Sequence, residues 1–336
     1  MSLMNRDINK IAIVRLSALG DIVNSAVVLQ FIKQFYPHAE IDWITEEVFS
    51  PLLQNHPYIN NVHTLNLKKF KKEKSFTLLW ENIQKARSFA PYDLVIDMQG
   101  LLKSAIVTRV LSRNTHGFDK ESTRESLAAL FYKTSSHIAY DESVIKRNCF
   151  VASDALNFSI TDKMILNKEA IFPVSKNFSL EKDKKNILLI IGASWLSKIY
   201  PKELLLQVCK ALDVRVYIAW GNESEKNDAQ WIANSSKNVH LAPKLSLSEL
   251  VSYVSSMDLI IGNDTGPTHM AWAQNIPSIT LFGPTNERMI YETKKNVSIQ
   301  SDSEVDIFKI NKNDFSIKNI SPLEITTTAQ RLLNGL

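Results

Sequence analysis

Asp258-Leu-Ile-Ile-Gly-Asn-Asp-Thr-Gly-Pro-Thr-His269 is the stretch of this 336-residue chain that decides its fold. The apolar run up to Gly262 has the length of a buried strand. Asp264 is the predicted N-cap of the helix that follows, and Gly266 and Pro267 are typical of its start. A strand followed at once by a helix is the repeating unit of a parallel sheet, and such sheets bind ligands outside the carboxyl ends of their strands. We therefore expect a ligand-facing loop at this position.

The same alternation of strand-like and helix-like segments runs outward from this stretch to both ends of the chain. Strand-sized apolar runs lie at 11–14, 41–45, 62–67, 93–97, 186–191, 214–219 and 278–282. This order predicts βαβ units and two successive Rossmann-like halves. The polar, lysine-rich segment 175–185 marks the linker. We expect domains at 1–175 and 176–320. A C-terminal helix is expected in 321–336, and the sequence leaves open whether it packs on the N-terminal domain.

The composition, net charge and cysteine spacing of the chain limit the classes of protein to which it can belong. Hydrophobic residues make up 45% of the chain, which lets both halves bury a core. The net charge of +4 does not indicate a nucleic-acid partner, and no apolar run reaches the length of a membrane span. Cys149 and Cys209 have no metal-type spacing. We expect a cytoplasmic protein without a bound metal, whose oligomeric state the sequence does not give.

Arg15-Leu-Ser-Ala-Leu-Gly-Asp21 follows the first predicted strand. Asp21 has two interpretations at this stage. It can cap the following helix, a role that aspartate fills readily. It can also act as a general base that takes a proton from an attacking hydroxyl.

Two loops of the second half carry groups suited to a diphosphate. Lys198 ends the loop 192–198, and its ammonium can stabilise a departing phosphate, although a surface lysine is the commoner case. The helix start at 264–267 presents free N–H groups to an anion. His269 falls one turn into that helix, where it either faces the site or packs in the core. FGPT at 282–285 forms a second loop beside it.

These stretches together resemble the ADP-heptose:lipopolysaccharide heptosyltransferases, a family of GT-B glycosyltransferases, along nearly the whole chain. The most specific part is DTGPTH at 264–269 followed by FGPT at 282–285, and SALGD at 17–21 is the second anchor. DMQGLLKS at 97–104 and the stretch 116–132 resemble the members that add the first heptose. The resemblance implies an α/β fold of two Rossmann-like domains whose parallel sheets face a central cleft.

The resemblance also implies roles for individual residues. Asp21 matches the catalytic base, and Lys198 matches the lysine that meets the donor diphosphate. Ser194 falls where a donor-contact threonine is usual. The donor-contact motif is matched by Asp264, Thr265, Gly266 and His269.

The resemblance places further residues at the two ends of the substrates. Glu225 matches an acid that holds the adenosine ribose, and Leu245 matches an apolar neighbour of the adenine. Arg124 lies where the family contacts its anionic acceptor. The same contact is implied for the lysine-rich stretch that contains Lys68, Lys69 and Lys72. By its composition alone, that stretch could equally be a solvated loop.

We therefore expect an inverting transferase that moves heptose from ADP-heptose to a Kdo sugar of Kdo-lipid A, without metal or other cofactor, at the cytoplasmic face of the inner membrane. Three alternatives remain open. A family member that adds the second heptose shares the donor. A non-catalytic nucleotide-sugar binding protein would not need Asp21. An epimerase of the same fold would release product without a lipid acceptor.

Overall fold

The computed structural model describes residues 8–67, 76–89 and 91–335. The chain divides into two compact units, Met1–Ile171 and Phe172–Leu336. Each unit contains one six-stranded sheet in which every pair of neighbouring strands is parallel. The predicted α/β class of two Rossmann-like domains is confirmed.

The first unit is built from strands and helices in regular alternation. Its strands are β1 (Lys10–Val14), β2 (Glu40–Glu46), β3 (Asn61–Leu65), β4 (Leu94–Asp97), β5 (Thr115–Phe118) and β6 (Thr134–Ser136). Its helices are α1 (Leu19–Ser25), α2 (Val28–Phe35), α3 (Ser50–Leu53), α4 (Phe76–Arg87), α5 (Leu102–Leu111), α6 (Val144–Leu156) and α7 (Asp162–Leu166). The strand order is β3-β2-β1-β4-β5-β6.

The second unit repeats this plan. Its strands are β7 (Asn186–Ile190), β8 (Arg215–Ala219), β9 (Val239–Leu241), β10 (Leu259–Asn263), β11 (Ser278–Phe282) and β12 (Asn296–Gln300). Its helices are α8 (Lys202–Ala211), α9 (Glu223–Asn234), α10 (Leu247–Ser255), α11 (Gly266–Ala273) and α12 (Pro322–Leu333). The strand order is β12-β11-β10-β7-β8-β9.

Both sheets reverse their strand order at the centre, and this decides where loops can hold a ligand. The reversal falls between β1 and β4 in the first unit and between β7 and β10 in the second. The loops that leave two such neighbouring strands diverge to opposite faces of the sheet and open a crevice at its carboxyl edge. The motifs at 15–21 and 97–104 flank the first reversal, and those at 192–198 and 264–269 flank the second.

The C-terminal helix α12 belongs to the second unit. Ile325, Ala329 and Leu332 lie on one face at helical spacing and join the buried core of that unit. The sequence left open whether this helix packs on the first domain. The structure instead accounts for its apolar face within the second unit, where it packs against α8.

Among the residues that the structure describes, no helix is long and apolar enough to cross a membrane.

Candidate active site

Asp264 lies directly after β10 and is the centre of a buried polar cluster. Lys198 Nζ lies 2.5 Å and Thr285 Oγ1 2.7 Å from Asp264 Oδ2, while His269 Nε2 lies 3.0 Å from Oδ1. All four side chains are buried. The structure therefore brings together Lys198, Asp264 and His269, which come from two of the predicted motifs, and adds Thr285 from a third.

The cluster keeps Asp264 ionised. Burial by itself would raise the pKa of this carboxyl group, but the charge of Lys198 and the hydrogen bonds from His269 and Lys198 outweigh burial and hold the pKa well below its usual range. Asp264 in turn fixes the position of the lysine. A lysine ammonium has three N–H donors, so Lys198 can bond Asp264 and still donate to an anionic ligand.

Asn263 holds the loops of this cluster together, although sequence reasoning did not single it out. Its Nδ2 donates to Ile191 O at 2.8 Å, and its Oδ1 accepts from Tyr200 N at 3.1 Å. These bonds tie β10 to the two ends of the loop that carries Lys198. A buried amide at the end of an apolar strand is the signal that could have indicated this role.

The helix start differs from the prediction in one detail. Thr265, not Asp264, is the N-cap of α11, and its side chain makes no capping bond. The carboxylate of Asp264 is committed to Lys198 and His269 and so does not cap the helix. Thr265 and Gly266 still occupy the amino end of α11, where the first N–H groups of a helix have no intrahelical acceptor and the helix dipole attracts anions.

Glu225 lies against the first loop of the second unit. A Cβ atom on Gly192 would come within 2.3 Å of Glu225 Oε1, so a larger residue there would displace the carboxylate from this position. Gly221 N–H donates to Glu225 Oε2 at 2.7 Å and Asn222 Nδ2 to Oε1 at 2.8 Å. The predicted ribose-binding acid is therefore placed at the carboxyl end of β8, beside the loop that leads to Lys198.

Two other predicted donor contacts, Ser194 and Leu245, lie in loops of the second unit. Leu245 is half-buried, and its loop is tied to β8 because Trp220 Nε1 donates to Ala242 O at 2.9 Å. Ser194 is exposed, and its hydroxyl makes no hydrogen bond within the described part of the chain. Both residues remain predictions as ligand contacts.

Asp21 is the third residue of α1 and is therefore not its N-cap. Its Oδ2 accepts from Ala18 N–H at 3.1 Å, and its Oδ1 lies 2.9 Å from Arg15 Nη2. Arg15 is buried and also donates to Met98 O, whereas the Asp21 side chain is 27% exposed. Arg15 thus connects Asp21 to the end of β4, a role that the sequence did not reveal.

The loop that leads from β4 to α5 supports the loop before α1. Gln99 Oε1 accepts from Leu16 N at 2.9 Å, and Lys103 Nζ donates to Ser17 Oγ at 3.0 Å. Two of the stretches that carry the family resemblance, 17–21 and 97–104, are therefore in direct contact. Both stretches lie at the carboxyl edge of the first sheet.

Of the predicted acceptor contacts, the structure describes only Arg124. This side chain is exposed, and its guanidinium forms no ion pair with any described residue. The other three, Lys68, Lys69 and Lys72, lie outside the described residues. All four remain predictions.

A group of possible metal ligands lies elsewhere in the first unit. His137 Nδ1 is 2.7 Å from Asp119 Oδ2 and 3.8 Å from Glu121 Oε2. The side chains of His137 and Glu121 are largely exposed, and none of the three touches Asp21 in the contacts of the described residues. The expectation that transfer needs no metal stays a prediction.

Two Rossmann-like units, each with charged loops at the carboxyl edge of its parallel sheet, are the components of the GT-B fold. The model of glycosyltransferase family 9 (heptosyltransferase) matches residues 81–314. The chain belongs to this family.

Two curated relatives are similar over most of the chain. Lipopolysaccharide heptosyltransferase 1 of Campylobacter coli is 43% identical over 342 residues, which cover 96% of this chain and 98% of that protein. Lipopolysaccharide heptosyltransferase 1 of Escherichia coli K12 is 27% identical over 297 residues, which cover 85% of this chain and 92% of that protein.

Two solved structures share the fold. E. coli heptosyltransferase WaaC with ADP-2-deoxy-2-fluoro heptose has a TM-score of 0.79 and 23% sequence identity, covering 96% of this chain and 99% of that one. E. coli ADP-heptose lps heptosyltransferase II has a TM-score of 0.70 and 18% identity, covering 97% of this chain and 99% of that one.

Proposed function

We propose that this enzyme is a heptosyltransferase I, which transfers heptose from ADP-heptose to a Kdo sugar of Kdo-lipid A with inversion at the anomeric carbon. The observation that carries the proposal is the 43% identity to a lipopolysaccharide heptosyltransferase 1 along almost the entire chain. The buried Lys198–Asp264 pair beside an open helix start supports a diphosphate donor, because it combines a fixed cation with free N–H groups.

In the proposed reaction, Asp21 takes the proton of the attacking Kdo hydroxyl, whose oxygen forms the new bond to the anomeric carbon. The bond from that carbon to the ADP oxygen breaks, and ADP leaves with the bonding electron pair. Lys198 and the N–H groups at Thr265 and Gly266 stabilise the charge that develops on the diphosphate. These groups replace the stabilisation that a metal ion gives in other transferases, so we propose that no metal is needed.

The remaining contacts follow the chemistry of the two substrates. Glu225 accepts hydrogen bonds from the adenosine ribose, with Leu245 beside the adenine and Ser194 near the phosphates. Arg124 meets the anionic acceptor. The lysine-rich stretch 68–74 meets it as well, and we propose that the enzyme works at the cytoplasmic face of the inner membrane.

One reaction tests the proposal. The purified protein is incubated with ADP-heptose and heptose-free Kdo-lipid A, with and without EDTA, and the lipid is analysed by mass spectrometry. We expect the lipid to gain the mass of one heptose residue in both samples. Activity that EDTA abolishes would contradict the metal-free mechanism.

The same reaction separates the alternatives. An enzyme that adds the second heptose would modify only an acceptor that already carries one. A non-catalytic binding protein would bind ADP and form no product. An epimerase would convert the donor in the absence of any acceptor. Each of these results would overturn the proposed function.

A further inference from the structure

The 3-10 helix Ser126–Phe131 displays two large apolar side chains to solvent. Leu127 is 62% exposed and Leu130 is 79% exposed, while Ala128 between them is completely buried. A 3-10 helix has three residues per turn, so residues three apart lie on the same face. Leu127 and Leu130 therefore form one outward-facing pair.

This helix is held firmly at both ends, so the exposed leucines are not the result of a loose loop. At its start, Glu125 Oε2 accepts from Leu102 N at 2.6 Å. At its end, Tyr132 OH donates to the buried Asp97 at 2.8 Å, and the Tyr132 ring covers Gly117, where a Cβ would approach within 2.5 Å. The chain fixes these leucines in an orientation that exposes them to water.

Helix α5 also exposes large apolar side chains. It packs against the 3-10 helix, and its Leu102 and Ile106, one turn apart, are 36% and 41% exposed. Scattered single apolar residues on a surface are ordinary, but four large ones on two contacting elements form a patch that marks an interaction site. We call these four residues, Leu102, Ile106, Leu127 and Leu130, the apolar patch.

The two segments that carry the apolar patch have a net positive charge. Segments 102–111 and 124–133 carry four cations and one carboxylate, Glu125. All four cations, Lys103, Arg109, Arg124 and Lys133, are exposed. Apolar side chains combined with lysine and arginine are suited to the boundary between acyl chains and anionic head groups, because each part finds its complement there.

We propose that the apolar patch is the surface by which this enzyme binds an anionic lipid bilayer. The proposal rests on the proposed function, because a lipid-linked acceptor lies in a membrane. The patch adjoins the loops of the first unit that carry Asp21, through the bond between Lys103 and Ser17. Binding through the patch therefore holds the carboxyl edge of the first sheet close to the lipid head groups.

Vesicle flotation of the full-length protein tests this without any sugar transfer. We expect the wild type to float with vesicles of phosphatidylethanolamine and phosphatidylglycerol and to bind phosphatidylcholine vesicles much more weakly. Leu127→Ser with Leu130→Ser should weaken binding to the anionic vesicles by at least about tenfold, since each leucine loses apolar area buried in the bilayer. A matched control is Leu166→Ser with Leu323→Ser, two leucines that are 56% and 73% exposed elsewhere; it should bind like the wild type.

Further measurements test whether the patch variant is folded and whether the leucines bind a second copy of the chain. ADP binding and the unfolding temperature of the patch variant should match the wild type, which shows that it is folded. Equal flotation of the patch variant, the control variant and the wild type would overturn the proposal. So would a wild type that forms a dimer which the patch variant cannot form, since the leucines would then bind a second copy. Vesicle binding without sugar transfer would contradict the proposed function but would still support the apolar patch as a lipid-binding surface.

Discussion

Asp21 in the first unit and Asp264 in the second both lie at the carboxyl edge of a parallel sheet, yet their surroundings are opposite. Asp21 is 27% exposed, contacts one guanidinium and accepts one backbone N–H. Asp264 is 3% exposed and is held by Lys198, His269 and Thr285. A carboxylate that water and substrate can reach is able to exchange a proton, whereas a buried one with three partners stays charged and positions its neighbours. The same residue type is thus suited to proton transfer in one unit and to positioning its neighbours in the other.

The largest effect is expected at the exposed carboxylate. Asp21→Asn removes the proposed base and should lower kcat by about 10³-fold, within the range that general bases contribute. ADP affinity should stay within about twofold of the wild type, because the proposed donor site lies in the second unit. Steady-state transfer assays and calorimetric ADP titration measure the two quantities.

Asp162→Asn is the matched control for this variant, because Asp162 is an exposed carboxylate of the same unit that also contacts a cation, Lys146, at 3.5 Å. It should keep normal turnover. Near-normal turnover of Asp21→Asn would show that Asp21 is not the catalytic base.

The second prediction concerns the buried pair. Lys198→Met leaves the negative charge of Asp264 without its closest cation and should destabilise the second unit by about 3–5 kcal/mol. It should also weaken ADP binding and lower turnover, because the fixed cation of the diphosphate site is gone. Urea unfolding and ADP titration follow the two losses. A Lys198→Met protein with unchanged stability and unchanged ADP affinity would show that Lys198 neither stabilises the second unit nor binds ADP.

As the pH falls, the first unit should lose stability at a higher pH than that at which the contribution of Asp264 is lost. Burial lowers the pKa of His56 and of His116 to about 4, below the ordinary value of 6.5. Between these values the unfolded chain binds more protons than the folded one, so stability falls as the pH falls from 6.5 towards 4. At pH 5 the loss should be about 2 kcal/mol per histidine. The contribution of Asp264, whose pKa is lowered, is lost only as the pH falls below 3.8.

Urea unfolding at pH 7 and pH 5 measures this difference. His116→Gln should reduce the loss of stability on acidification, since glutamine does not titrate. His38→Gln replaces an exposed histidine that forms no ion pair in the described part of the chain, and it should leave the loss as large as in the wild type. An equal pH dependence in all three proteins would contradict the prediction.

The smallest effect is expected at Thr285. Thr285→Val removes one of the three side-chain hydrogen bonds to Asp264 while keeping the volume of the side chain. We expect a loss of about 1–2 kcal/mol in stability and a three- to tenfold weaker ADP affinity, estimated roughly from one buried hydrogen bond to a charged group. Thr285→Ser retains the hydroxyl and should restore most of the affinity. If serine and valine weaken ADP binding equally, the hydroxyl does not act through Asp264.

The sequence predicted the general architecture because strand and helix periodicity are local properties. Apolar runs such as 258–262, followed by a helix start, repeat through both halves, and both sheets have the expected parallel strands. The motifs at 15–21, 192–198 and 264–269 could also be located, because residues that follow a parallel strand must lie at the carboxyl edge of the sheet.

Partners within each site could not be predicted in the same way. Arg15 lies six residues before Asp21 and reaches it only through the turn into α1, and Thr285 meets Asp264 from the end of a neighbouring strand. The N-cap assignment of Asp264 was wrong for the same reason, since its partners are 66, 5 and 21 residues away in sequence. Local patterns carry no information about such contacts.

The sequence by itself therefore determined the fold class, the two-unit plan and the loops that hold the chemistry. It also supplied the resemblance that indicates heptose transfer. Only the tertiary structure decided which carboxylate is accessible and which is buried in a network, and that the leucines at 127 and 130 face water. The physical reason is that burial and hydrogen bonding depend on groups brought together by sheet packing, whereas periodicity and turn chemistry are set by neighbours along the chain.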